Sequence, residues 1–133
     1  MNKEVFWGLV AASQGSAEKL KQLLLAFSRE EMISFNELLD EALYQLDRKD
    51  IHEVTGGSDD SFEYVRLWIV SQGRRYFEAV LQNPQKVPHF ADEEQENEDF
   101  GYAVYEVYEE KWKEQFPALS GKRLTGTNSA GWI

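Results

Sequence analysis

The sequence predicts an all-α fold: a single-domain bundle of about five helices with a central helix near residues 60–82. Three observations carry this. Alternating runs of β-branched residues are missing, which removes the usual signature of half-buried strands. Leu, Glu, Lys, Gln and Ala dominate the long segments. Apolar residues recur at spacings of three and four, and several of these runs open on a capping residue. The helical domain is expected over residues 1–117, and a tail over 118–133.

The first helix runs from about Lys3 to Ser13. Asn2 is its N-cap, Phe6, Leu9 and Val10 share a face, and Gln14-Gly15 ends it. Ser16 caps the second, with Leu20, Leu23, Leu24 and Phe27 inward. Ser28-Arg29-Glu30-Glu31 is a capping box that opens the third. Its stripe is Met32, Phe35, Leu39, Ala42, Leu43 and Leu46, with Asn36, Glu37, Asp40 and Glu41 facing water. Arg48 and Lys49 fall near its carboxyl end, where positive charge is favoured. Ile51 to Thr55 is too short a pattern to assign.

Gly56-Gly57 breaks the chain ahead of the fourth helix, drawn from about Asp60 to Gln82 and stopped by Asn83-Pro84. On a helical wheel Phe62, Val65, Ile69, Tyr76 and Val80 fall on one stripe, and so do Arg66 and Gly73. Glycine within a helix costs roughly 1 kcal/mol against alanine, so Gly73 implies close approach by a neighbour. A loop follows over Gln85 to Phe90. The fifth helix starts in the acidic run Asp92 to Asp99 and reaches about Gln115, before Pro117. Phe100, Val104, Val107 and Tyr108 form its core stripe, beside a second stripe of Tyr105, Trp112 and Phe116. The last residues are rich in Gly, Ser, Thr and Asn, with Trp132 as a candidate pin.

The bulk numbers narrow the chemistry. The 133 residues contain no cysteine, which removes disulfides, thiol catalysis and cysteine-ligated zinc. That suits a reducing cytosol, and with neither a signal peptide nor a membrane span legible the expected location is cytoplasmic. The net charge of −10 comes from 14 basic and 24 acidic residues. It disfavours nucleic acid and anionic membranes as partners and suits a basic protein. Solubility alone also accounts for it. His52 and His89 are the only histidines. No HExxH, GxSxG, kinase-type or phosphate-loop motif occurs, so no metal, cofactor or catalytic constellation is expected.

Arg66 is the residue that most needs an explanation, because an unpaired charge in an apolar interior is costly. It is either an anion-binding group in a cleft with Trp68, Gln72, Arg74 and Tyr105, or one half of an ion pair with Glu106 or Glu110 of the fifth helix. Asp59 and Asp60 are either a paired-carboxylate site or helix-start charges, with Asp60 capping the amide of Glu63. The aromatics of the fifth helix either close the core or form an interface.

The segment from Gly56 to Arg74 resembles a bacterial family known as domain of unknown function 4240. So do Phe6-Trp7, Phe77-Glu78-Ala79-Val80-Leu81, Asn83-Pro84 and Tyr105-Glu106-Val107-Tyr108-Glu109-Glu110-Lys111. The resemblance spans most of residues 3–117. It implies an α-helical domain and brings no established activity. Three functions follow as expectations: a non-catalytic cytosolic interaction domain, in one form an immunity-type protein neutralising a basic toxin; a small-anion or ligand-binding domain around Arg66; and a hydrolase built on Asp59 and Asp60.

Overall fold

The computed structural model describes residues 1–89, 91–117 and 120–133. Among them every regular element is helical. There are seven α-helices: α1 (Lys3–Ser13), α2 (Ala17–Leu24), α3 (Arg29–Leu46), α4 (Lys49–Thr55), α5 (Asp59–Ser71), α6 (Arg74–Gln82) and α7 (Glu98–Trp112). Short 3-10 turns cover Pro84–Lys86, Glu93–Gln95 and Ser129–Trp132. Phe90, Ala118 and Leu119 lie outside the described residues, and with them part of the predicted loop and tail.

The first three helix starts are as the capping chemistry predicts. The Asn2 side chain accepts from the Val5 amide and Ser16 from Lys19. Ser28 and Glu31 form the reciprocal box, with Glu31 N–H to Ser28 Oγ at 3.2 Å and Ser28 N–H to Glu31 Oε1 at 3.1 Å. Gln14 and Gly15 both take positive φ and end α1.

The helix count differs from five for two reasons. Ile51–Thr55 belongs to a helix of its own, α4, because α3 stops at Leu46 and Asp47 turns the chain. Arg48 therefore stands ahead of α4 rather than closing α3, bonded to the Leu81 carbonyl and paired with Asp50. The long helix of 60–82 is two helices. Gly73 has φ 106, the left-handed region that favours glycine, and a Cβ there would meet nothing within 4 Å. Gly73 is a hinge between α5 and α6, not a point of close approach. The apolar pattern runs through it because both helices face the same core.

α5 is the central element, touching α1, α3, α4, α6 and α7. Phe62, Val65, Leu67, Ile69 and Val70 are buried on several sides of it. On one flank Phe6 lies against Phe35 with centroids 5.1 Å apart, and Trp7 against Phe77 at 5.0 Å. On the other flank α7 buries Phe100, Val104, Val107 and Tyr108, as its stripe predicts. Residues 120–133 cross the open side between α3, α5 and α7. No helix of the described residues is long and apolar enough to cross a membrane.

Candidate functional site

Arg66 is 0% exposed, as the wheel requires. Its partners are not the predicted acids. Nη1 donates to the Leu43 carbonyl at 3.0 Å, and Nη2 to the Arg123 carbonyl at 2.8 Å and Thr125 Oγ1 at 3.1 Å. The guanidinium carbon lies 4.9 Å from the centre of the Phe62 ring. Leu43 belongs to the last turn of α3, whose carbonyls have no intrahelical partner and attract positive charge. Arg66 thus closes one helix end from the side and holds residues 120–133. Burial pulls its pKa below the ordinary value, while Asp47 and Glu63 oppose that from longer range. Its Nε is buried without a partner among the described residues. Glu106 pairs instead with Lys21 of α2, and Glu110 is exposed.

A second buried guanidinium sits close by. Arg123 is 8% exposed and is inserted between α3 and α7. Nε donates to Asp40 Oδ1 at 2.9 Å, Nη2 to Asn36 Oδ1 at 2.9 Å and Nη1 to the Gly101 carbonyl at 2.7 Å. Its carbon stands 5.0 Å from the Tyr105 ring centre. Asn36 and Asp40 were expected to face water with Glu37 and Glu41; both are buried, because Arg123 covers them. Gly101 makes room for this contact. A Cβ there would stand 2.7 Å from Leu67 Cδ1 and 2.9 Å from Arg123 Nη1.

Asp47 holds the far end of residues 120–133. It is fully buried and accepts from Gly126 N–H at 3.0 Å, Asn128 N–H at 2.9 Å and Trp132 Nε1 at 2.8 Å. The three donors satisfy a carboxylate that would otherwise be stranded. Trp132 is the pin its position suggested, and its ring also packs against His52 at 5.5 Å. The segment is therefore a strap fastened at three polar points.

Where the strap meets α5 and α7 it walls a cleft of about 380 Å³. Asp60, Glu63 and Tyr64 of α5 line one side, Tyr102 and Tyr105 of α7 another, and Gly121 and Leu124 of the strap a third. Arg123 and Asp40 lie at its base. Burial raises the Glu63 pKa, with Arg123 and Arg66 acting against it. Burial, then Glu98, pushes the Tyr64 hydroxyl up to about 12. Tyr105 is also pushed up to about 12, mainly by burial, with the Asn36 side chain acting against it; its buried hydroxyl makes no well-formed hydrogen bond among the described residues.

Further acidic residues stand in the segments that flank these cleft residues in the chain. Asp59 and Asp60 fall in the first turn of α5, but the cap is Ser58, whose Oγ accepts from Ser61 N–H at 3.1 Å. Asp60 does not cap Glu63. The 3-10 turn at Glu93–Gln95 packs on α5, and Asn97 N–H bonds the Tyr64 carbonyl at 3.0 Å. Glu98 comes near Asp60 and Glu63 at Tyr102, Asp92, Glu93 and Glu96 lie together at the turn, and Asp59, Glu94 and Asp99 are their neighbours in the chain. No described salt bridge involves any of these nine. Burial and its neighbours Glu93, Glu98 and Asp92 raise the Glu96 pKa.

The eight residues singled out from sequence divide accordingly. Asp60 and Tyr105 line the cleft, and the Asp59 carbonyl accepts from Thr125 Oγ1 at 2.8 Å. Arg66 lies beneath the strap. Trp68 is half-buried against Tyr76, Gln72 is exposed beside Ser71, Arg74 pairs with Glu78 at the surface, and Glu106 is held by Lys21. These four do not join the cleft. Sequence reasoning missed Asn36, Asp40, Asp47, Glu63, Tyr64, Tyr102 and Arg123. One legible trace existed: Asn36 and Asp40 stand four apart on the edge of an apolar stripe.

Fold and site together define an all-helical domain whose acidic, tyrosine-lined cleft is closed by a C-terminal strap. A family model matches residues 1–110, and the chain belongs to that family, described as protein of unknown function (DUF4240). The strap lies beyond the matched region. No curated protein and no solved structure matches the chain.

Proposed function

We propose that this chain is a non-catalytic cytosolic interaction domain that docks a basic protein on the face formed by the start of α5, the turn at Glu93–Gln95 and the start of α7. The observation that carries the reading is a tyrosine-walled cleft lined by Asp60 and Glu63, neither of which has an ion pair among the described residues, with Glu98 near enough to bear on Tyr64 and Tyr102. Several acids elsewhere do meet bases, Glu106 with Lys21, Glu114 with Arg29 and Glu41 with Lys122, while Glu30 and Glu110 do not among the described residues and serve as the comparison. A face of one sign steers a partner of the other sign and speeds encounter at low salt. Tyrosine adds contact area with a polar tip, and its ring face attracts cations. An immunity-type protein that neutralises a basic toxin is one form of this function.

The alternative, an anion site at Arg66, meets a physical obstacle. That guanidinium is 0% exposed and both terminal nitrogens are engaged by carbonyls or a hydroxyl.

Hexa-lysine and hexa-arginine peptides test the docking face. Binding is expected to weaken as salt rises. Asp60→Asn with Glu63→Gln should weaken it more than Glu30→Gln with Glu110→Gln, which removes the same charge elsewhere. Equal losses from the two double variants would reduce the effect to net charge and remove the docking face.

A further inference from the structure

We infer that the strap is a clasp whose closure builds the cleft, so that a basic side chain in the cleft and the docked strap stabilise each other. The inference rests on the reading of the cleft as the landing site for a basic partner, and it adds how that site is regulated.

The cleft has no complete wall without the strap. Gly121 and Leu124 supply one side, and next to Leu124 in the chain Thr125 ties the strap to the Asp59 carbonyl. Besides Arg123 at the base of the cleft, the strap is fastened at its far end, by Asp47 and Trp132 near α4. A ligand that needs the wall binds only the closed form and must favour it, and by linkage closure favours the ligand equally.

The sign of the coupling follows from which carboxylates are free. Arg123 already occupies Asp40 through two nitrogens and also donates to Asn36 and to the Gly101 carbonyl. Asp60 is exposed and Glu63 half-buried, and neither meets a cation. An entering arginine or lysine therefore reaches Asp60 and Glu63 with the Tyr64 and Tyr102 rings beside it, and leaves Arg123 in place. Were it to replace Arg123 at Asp40 instead, it would expel the strap, and the coupling would reverse.

Amide hydrogen exchange of the full chain separates these cases. Gly126 and Asn128 donate to Asp47, so their exchange reports strap opening. Trp132→Phe removes one donor to Asp47 while keeping a ring against His52, so strap opening becomes faster than global unfolding, which core amides such as Ile69 report. With hexa-arginine at about ten times its Kd, exchange at Gly126 and Asn128 of this variant should slow by about tenfold. Backbone shifts at Tyr64 and Tyr102 establish that the peptide sits in the cleft. Shifts there with unchanged exchange overturn the coupling and leave the docking face intact. Faster exchange means that the peptide displaces Arg123, and it also overturns the proposal. A wild-type chain that binds no hexa-arginine removes the docking face and the clasp's role together.

Discussion

The two flanks of α5 are held by different physics. Toward α1 and α6 the contacts are rings and aliphatic chains: Phe6 on Phe35, Trp7 on Phe77, with Leu39 and Val10 fully enclosed. Toward the strap the enclosed groups are two guanidiniums, two carboxylates and an amide. An apolar contact is non-directional and survives a change of shape at modest cost. A buried charge survives only while its partners stay in place. The first flank therefore tolerates substitution, while the second is specific and brittle.

The largest expected effect is the loss of one partner on the polar flank. Arg123→Ala removes the guanidinium that covers and pairs with Asp40 and Asn36 and frees the strap, and should cost about 3–5 kcal/mol in urea unfolding. A loss below about 1 kcal/mol would mean that water replaces the guanidinium, and the contrast between the flanks would fail.

A pair of conservative changes sharpens it. Arg66→Lys keeps the charge but offers one ammonium on a shorter reach in place of a fork whose separate nitrogens serve Leu43 and the Arg123–Thr125 pair, and should cost about 2–3 kcal/mol. Leu39→Met on the apolar flank should cost less than about 1.5 kcal/mol. Calorimetric scans that rank Leu39→Met as the worse of the two would reverse the comparison.

The smallest effect belongs to Glu63. Burial raises its pKa, so its charged form is disfavoured in the folded chain. That penalty is present above its folded pKa and fades as pH falls below the unfolded value. Glu63→Gln should therefore raise the melting temperature slightly near neutral pH and lose the gain in acid. A gain that persists unchanged in acid would point to packing rather than charge.

How much of this was legible in sequence depends on whether the signal is local. Caps at Asn2, Ser16 and Ser28 are decided within four residues and could be read directly. So could the core stripes of α3 and α7, and the inward turn of Arg66. Arg66's partners could not be read, because a helix-end carbonyl and a strap carbonyl carry no residue type that marks them. Asn36 and Asp40 look like solvent-facing polars until Arg123, more than eighty positions away, is placed over them. Gly73 looked helical because periodicity continued on both sides, and only its positive φ shows the break.

The strap's place in the chain bears on biosynthesis. Residues 120–133 leave the ribosome after α3, α5 and α7, so Arg66, Asp40 and Asp47 emerge before the groups that satisfy them. Until then those helices carry stranded charges that oppose tight packing. A translation product that stops short of Gly121 would keep that defect permanently, so the native state also certifies that translation has passed the strap.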